Sequence, residues 1–261
     1  MSFGIFFGGF FIETEEFDAE IQPVDPTVGV KNLGSHIIYD MNDLVLPDDI
    51  EYGEAVEAFE SRDFNFPNAT DVGSKRVAYT MGLVTASDSA RMAAFSSQSA
   101  EASDTQSVVA QMNNRYTATN WSGNTLRIQL SIQVANANMV GATNDLNNYL
   151  PRVASWKNSN YPTQDNVQAL TSWNSGGTIG LAYVRTMCQS ANSAGVNNVG
   201  FTSSQSSRGI LVAHEVGNNF AMNHDDATAN NVMSSGINAN AGSFSSRSVS
   251  EFLNNSAKQC L

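Results

Sequence analysis

The residues best suited to chemistry lie in one segment near the C-terminus, residues 214–225. His214 and Glu215 open this segment, Asn218 stands four residues after His214, and His224 follows six residues later. Two imidazoles four residues apart on a helix share a face and can bind one zinc ion, while a glutamate beside the first can deprotonate a zinc-bound water. The segment therefore predicts a zinc site in which one ligand histidine is replaced by asparagine.

Strands and helices alternate around this segment. Strict period-two alternation at 126–134 predicts a strand with one polar face, and similar but weaker patterns predict strands at 76–86 and 178–184. Helical spacing of apolar residues predicts helices at 107–116 and 206–221, the latter carrying His214.

Two further helices complete the predicted elements. We predict a short helix at 166–173 and a final helix at 248–256, with Ser248 as its N-cap and Glu251 as the capping-box partner. Alternating strands and helices predict an α/β sandwich with a largely parallel sheet.

Acidic residues are concentrated in the first quarter of the chain. Residues 1–64 contain fifteen acids and two bases, whereas 65–261 contain ten acids and eleven bases. The stretch 64–74 has the Pro, Gly and Asn residues of a connection. We therefore assign residues 1–73 to an acidic N-terminal extension of propeptide type and residues 74–261 to the domain that carries the zinc segment.

Composition excludes several classes of protein. Neither part offers the basic surface that phosphates require, so nucleic-acid binding is excluded. No run approaches the roughly 20 apolar residues of a membrane span.

The apolar run 3–12 lacks a preceding base and a following cleavage site, which makes it a poor signal peptide and favours a buried strand or helix. Three Asn-x-Ser/Thr sites and few lysines still favour a secreted or extracellular protein. Cys188 and Cys260, taken alone, leave open whether they are buried thiols.

Four features occur in a familiar order along the chain. They are the strand 180–184 followed by Met187 and Cys188, the histidine segment 213–225, the turn 231–235 around Met233, and the C-terminal stretch with Phe244, Phe252 and Cys260. Residues 74–261 thereby resemble the metzincin zinc metallopeptidases in their reprolysin form, also called adamalysin or ADAM-like.

The resemblance implies a specific fold. It is a zincin-like α/β sandwich with a mostly parallel twisted sheet, an active-site helix, and a small C-terminal subdomain that contains the Met-turn. An edge strand within 195–203 is expected to bind an extended peptide or protein substrate by strand addition. The family pairing of cysteines implies a disulfide between Cys188 and Cys260, in keeping with an oxidising compartment.

The resemblance also assigns roles residue by residue. His214 and His224 would be zinc ligands, and Glu215 would be the general base and acid. Met233 would form the hydrophobic floor beneath the metal. Asp225 would support the chain after the last ligand.

Two residues depart from the family pattern. Asn218 replaces the middle histidine, and its amide oxygen is a neutral, weak and shorter ligand than imidazole. Ala221 replaces a glycine where the helix ends and where we expect a positive φ angle. The resulting expectation is a zinc metalloendopeptidase that works through zinc-bound water and is impaired at Asn218.

Alternatives to an impaired enzyme remain open. One is a catalytically inactive pseudopeptidase that binds peptides or proteins. Another is a chain in which Asn218 and Ala221 were introduced by design, so that the family pattern is kept without selection on the chemistry. No cysteine precedes Cys188, which excludes the thiolate that blocks zinc in many relatives. An Asp or Glu of the extension could ligate the metal instead, and deleting residues 1–64 would then raise zinc binding or activity.

Overall fold

A computed structural model describes residues 76–137, 145–173, 177–187, 189 and 191–261, together with five strands in the N-terminal extension. The strands are β1 Ser2–Phe6, β2 Gly9–Glu13, β3 Asp18–Pro23, β4 His36–Asp40, β5 Val56–Glu57, β6 Ala78–Ser87, β7 Thr125–Val134, β8 Asn166–Thr171, β9 Gly180–Val184 and β10 Ala194–Asn198. The helices are α1 Ser89–Met92, α2 Gln98–Ala118, α3 Leu146–Asn160, α4 Gln205–Asn219 and α5 Ser246–Asn254.

The central sheet is mixed but mostly parallel. Its strand order is β5-β9-β10-β8-β6-β7. Strands β7, β6, β8 and β10 run parallel to one another, whereas β9 is antiparallel to β10. Strands β1 to β4 form a separate antiparallel sheet. The predicted α/β architecture with a largely parallel sheet is confirmed.

Helices pack on both faces of the central sheet. Helices α2 and α4 share one apolar cluster with Met81 and Leu83 of β6, whereas α3 shares a second cluster with Val84 and Ala86 of the same strand. The register of β6 against β7 shifts between Leu83 and Val84. Because both faces are covered, β8 and β10 are buried throughout and lose the alternating pattern of a half-exposed strand.

The prediction of a helix at 166–173 is wrong. These residues form β8, which lies between β10 and β6, and all six of its side chains are buried. Its polar side chains bond inside the protein: Asn197 Nδ2 donates to Gln168 Oε1 at 2.8 Å. A short buried segment with internally satisfied amides has neither strand nor helix periodicity, which explains the error.

The predicted start of the last helix is also wrong. Helix α5 begins after Ser245, whose side chain accepts a hydrogen bond from the Ser248 backbone N–H. Glu251 closes no capping box, because its carboxylate accepts hydrogen bonds from the backbone and side chain of Asn223. The chain has several serines in this stretch, and tertiary contacts decide which of them becomes the cap.

Helix α4 is well defined at both ends. Its N-cap is Ser204, whose hydroxyl accepts a hydrogen bond from Ser207 N–H at 3.2 Å. At its C-terminal end, Ala221 N–H donates to Asn218 O at 2.9 Å, and Met222 N–H donates to Gly217 O at 3.0 Å. These two bonds form a Schellman motif, in which the residue occupying the left-handed position is usually glycine. Here that residue is Ala221, with φ of 65°, as the sequence predicted.

Replacing Ala221 by glycine should stabilise the protein. An alanine in the left-handed conformation destabilises the folded state by on the order of 1–2 kcal/mol, and glycine removes this strain. Glycine also gives the unfolded chain more conformational entropy, which offsets part of the effect. We therefore expect a net increase of roughly 0.5–1 kcal/mol in the free energy of unfolding. Urea denaturation followed by tryptophan fluorescence measures it. The matched control is Ala110→Gly inside α2, which should lower stability by roughly 1 kcal/mol. A loss of stability in both variants would contradict the strain at Ala221.

Candidate metal centre

The two histidines of the predicted site converge. His214 lies fully buried on α4, and half-buried His224 lies on the chain that returns after the helix. Their Nε2 atoms are 3.0 Å apart. The other ring nitrogen of His214, Nδ1, donates to the backbone oxygen of Val232 at 2.9 Å, which leaves the Nε2 lone pair directed at the site.

This arrangement fits two ligands of a tetrahedral metal ion. Two nitrogens at about 2.0–2.1 Å from a tetrahedral zinc would lie about 3.3 Å apart, close to the separation of the two Nε2 atoms. The bond from His214 to Val232 is the type of outer contact that fixes the tautomer of a metal-ligating histidine. Burial is the main cause that lowers the pKa of His214, to about 3, and it also lowers the pKa of His224. Both rings are therefore neutral at pH 7, the form that binds metals.

Glu215 lies beside the histidine pair and is buried against the sheet. Gly180 of β9 lies directly against this carboxylate: a Cβ at Gly180 would collide with Glu215 Oε1 and would stand 2.7 Å from Leu211 Cδ1. Glu215 Oε1 has no hydrogen-bond partner among the described residues. Burial raises the pKa of Glu215 to about 8, opposed by a hydrogen bond from Asn218. Glu215 Oε1 is therefore available for a hydrogen bond with a water or a substrate at the site.

Asn218 occupies the helix position where a third imidazole would stand. Its Nδ2 donates to Glu215 Oε2 at 3.2 Å. Its Oδ1 is buried without a hydrogen-bond partner in the described part of the chain. This oxygen could complete the ligand set, as a neutral and weak third donor. Among the described residues, no group of three or more His, Cys, Asp or Glu side chains could hold a metal ion.

The segment after His224 is tied to the turn that contains Met233. Asp225 N–H donates to Met233 O at 2.6 Å, and Asp225 Oδ1 accepts from Ser245 Oγ at 3.2 Å. Met233 is fully buried, and its Sδ lies 2.5 Å from the position that a Cβ on Gly217 would take. Asp225 thus connects the returning chain to the turn, and Met233 packs under the helix that carries His214.

The edge of the sheet near the site is not where the sequence analysis placed it. Residues 194–198 form β10, which lies between β9 and β8, and Val199–Phe201 form a 3-10 helix. The expectation of an edge strand within 195–203 is therefore wrong. Strand β9 is the outermost strand that residues 74–261 contribute to the central sheet, and β5 of the extension pairs with it on the outer side. All five side chains of β10 are buried, as expected for a strand with neighbours on both sides.

Sequence reasoning missed the residue that anchors α4 to the sheet, Asn219. Its Nδ2 donates to Tyr183 O at 2.7 Å and to Ala194 O at 3.0 Å, and its Oδ1 accepts from Asn166 at 2.7 Å and from Gln168 at 3.0 Å. The adjacent pair of asparagines at the end of a helix was the only sequence signal. On the opposite side of α4, Tyr116 hydroxyl donates to Ala213 O at 2.9 Å.

Two other predictions concern the chain outside this centre. Cys188 lies outside the described residues, so its pairing with Cys260 stays a prediction. The acidic side chains of the extension likewise lie outside the described residues, and the suggestion that one of them ligates metal stays untested. In the described ranges, no helix is both long enough and apolar enough to cross a membrane.

Comparisons with known proteins agree with this geometry. Residues 84–261 match the family model described as reprolysin (M12B) family zinc metalloprotease. The chain is also 30% identical over 118 residues to disintegrin and metalloproteinase domain-containing protein 9 of Homo sapiens, a match that covers 44% of this chain and 14% of that protein. The chain thus corresponds to a small part of that relative's length. The mixed sheet with its helices is consistent with a metzincin-like fold. Since the family model covers well over half of the sequence, the chain belongs to the reprolysin (M12B) family of zinc metalloproteases.

Proposed function

We propose that this chain is a reprolysin-type zinc endopeptidase whose activity is reduced by Asn218. The observation that carries the proposal is that the Nε2 atoms of His214 and His224 lie 3.0 Å apart. The buried Glu215 directly follows His214 on α4. The buried imidazole of His214 and the half-buried imidazole of His224 face each other at a distance at which they can share a cation or a proton.

Each residue of the site has a different proposed role in peptide hydrolysis. His214 and His224 would hold zinc, and the Asn218 amide oxygen would be a weak third ligand. Zinc, when bound, supplies Lewis acidity to a water and to the peptide carbonyl. Glu215 would take the proton of the attacking water and pass it to the leaving amine, since its carboxylate is buried at the site next to His214.

Strand β9 is the proposed docking strand for an extended peptide. It is the last strand of the sheet that carries the family resemblance, and its Gly180 touches Glu215. A peptide added along β9 by backbone hydrogen bonds would therefore run past the carboxylate. This would place the scissile bond beside Glu215, at the end of β9 away from the two residues that pair with β5.

Glu215→Gln tests the enzymatic proposal. In the presence of excess zinc, the unmodified chain should cleave a mixed peptide library slowly, and Glu215→Gln should lower the rate by roughly 10²–10⁴-fold because it removes the proton acceptor. Zinc content after equilibrium dialysis should remain the same in both proteins. Mass spectrometry of the products measures cleavage. Equal rates in the two proteins would contradict the role of Glu215, and no cleavage at saturating zinc would favour the binding module below.

A peptide-binding module without hydrolysis is the second candidate. The observation that favours it is the hydrogen bond from Asn218 Nδ2 to Glu215 Oε2, which engages the carboxylate that hydrolysis needs. Such a module would bind extended peptides along β9 with the same affinity in zinc and in chelator. Fluorescence polarisation of a labelled peptide measures this, and binding that disappears on chelation would argue against the module.

We further propose that the chain is exported and that Cys188 and Cys260 form a disulfide. The proposal is supported by family membership and by the two cysteines at the family positions. Peptide mapping of the protein secreted from eukaryotic cells, with and without reductant, tests both points. A Cys188–Cys260 cross-linked peptide is expected, and two free thiols in the secreted protein would refute the pairing.

A further inference from the structure

A surface cavity lies between the C-terminal end of α2 and helix α5. Its volume is about 560 Å³, within the range of cavities that bind small ligands. The chain has three Asn-x-Ser/Thr sequons, at Asn68, Asn120 and Asn254. Asn68 lies outside the described residues, whereas Asn120 and Asn254 both line this cavity. The proposed hydrolysis uses neither the cavity nor the sequons.

The wall of the cavity is polar but uncharged. Its polar side chains are hydroxyls and carboxamides, and no Lys, Arg, His, Asp or Glu is among the described residues that line it. Phe244, Val249 and Leu253 add an apolar surface. Hydroxyls and carboxamides both donate and accept hydrogen bonds. Such a wall fits a neutral ligand that has many hydroxyl groups and also C–H faces, which is the chemistry of a sugar.

The sequon at Asn120 faces outward. Asn120 and Ser122 are exposed, whereas Trp121 between them is 1% exposed and its Nε1 donates to Tyr116 O at 2.7 Å. Asn120 Oδ1 accepts a hydrogen bond from Gly123 N–H at 3.4 Å, which directs the amide oxygen toward the turn and the amide nitrogen away from it. The buried indole thus anchors the sequon, while the two residues that glycan transfer requires stay accessible.

The sequon at Asn254 is held within a helix instead. Asn254 is the last residue of α5, and its Nδ2 donates to Ser250 Oγ at 3.2 Å. The next residue of the sequon, Asn255, donates from Nδ2 to the backbone oxygen of Glu251 at 2.9 Å. The amide nitrogen that would carry a sugar is therefore engaged inside the helix. Of the two sequons at the cavity, that of Asn120 is the better acceptor.

We infer that Asn120 carries an N-linked glycan whose first sugars lie in this cavity. In the transfer, Asn120 Nδ2 forms a bond to C1 of the first sugar of a lipid-linked oligosaccharide diphosphate, the bond from C1 to the diphosphate oxygen breaks, and the amide loses one proton. A glycan attached at the wall of the cavity has a high effective concentration there, so weak contacts are sufficient to hold it. The inference rests on the proposed export of the chain and is independent of peptide hydrolysis.

Glycopeptide mapping of the full chain tests the modification. An added, cleavable secretion signal directs the chain into the secretory pathway of a eukaryotic cell, so that the result does not depend on the chain's own export. Mass spectrometry should find a glycan on Asn120. Asn120→Gln and Ser122→Ala should both lose it, whereas Asn124→Gln, in the same turn, should keep it. A secreted protein without a glycan on Asn120 would overturn the inference, whether or not the chain cleaves peptides.

Enzymatic removal of the glycan from the folded protein tests its place in the cavity. Ser250→Trp would fill the cavity from α5, and Thr117→Trp is the control, because Thr117 is exposed on α2 and precedes the lining residues. A glycosidase should release the glycan from Ser250→Trp at least about 3-fold faster than from the control or the unmodified chain, because the sugars lose their contacts. Circular dichroism confirms that the variants remain folded. Equal release rates in all three proteins would refute the glycan's place in the cavity.

Discussion

Asn218→His should raise the zinc affinity of the chain by at least about 100-fold, since even the loss of an outer contact to a ligand lowers metal affinity by about 10–100-fold. The new imidazole would lie one helical turn after His214, on the same face of α4. It would replace a neutral amide oxygen that has no hydrogen-bond partner among the described residues. It would also release Glu215 from the hydrogen bond that Asn218 donates. Peptide hydrolysis at limiting zinc should rise together with the affinity.

Competition with a chromogenic chelator measures this affinity, and peptide cleavage at fixed zinc measures the rate. The matched controls are His224→Ala and Glu215→Gln, each in the Asn218→His background. The first should return zinc affinity to a low value, and the second should keep zinc while abolishing cleavage. Equal zinc affinity in the unmodified chain and in Asn218→His would show that the position does not face the metal. Such a result would overturn the proposal that position 218 belongs to the zinc-ligand set.

The sequence predicted two kinds of element: those with one polar face, and those that contain a motif of fixed spacing. Helix α4 was predicted from its helical spacing, and β7 from its strict alternation along a strand with one exposed face. Helix α3 was not predicted, because Pro151 and several asparagines lower its intrinsic helix propensity. Burial of Tyr149, Leu150 and Val153 against the sheet overrides that propensity. Such a contact exists only after the chain has folded.

The same limit applies to the site. Spacing alone placed His214, Glu215 and Asn218 on one helix, and the convergence of His224 followed from the family pattern. No pattern could place Gly180 against Glu215, since these residues lie on different elements and meet only through the order of strands in the sheet. For the same reason the docking edge was assigned to β10, one strand too far inward. Strand order is a property of tertiary packing, and a short buried strand does not show which neighbours it has.

Asn219→Ala should lower the free energy of unfolding by about 3–4 kcal/mol, because each buried polar group left without a partner costs about 1–3 kcal/mol. The Asn219 side chain is fully buried and connects α4 to three strands. It donates to backbone oxygens of Tyr183 and Ala194, and it accepts from Asn166 and Gln168 on β8. Without this side chain, the buried backbone oxygens of Tyr183 and Ala194 each lose a hydrogen-bond donor. The side-chain amides of Asn166 and Gln168 lose their shared acceptor.

Asn218→Ala is the matched control for this loss, since it removes the same atoms from the preceding residue of the same helix. In the described part of the chain, Asn218 donates one side-chain hydrogen bond, to Glu215, so its removal should cost about 1 kcal/mol or less. Urea denaturation of the two variants measures the difference. Equal losses would show that Asn219 does not anchor the helix. The expected contrast means that the fold depends on Asn219 far more than on Asn218, so position 218 can differ from the family pattern without loss of the scaffold.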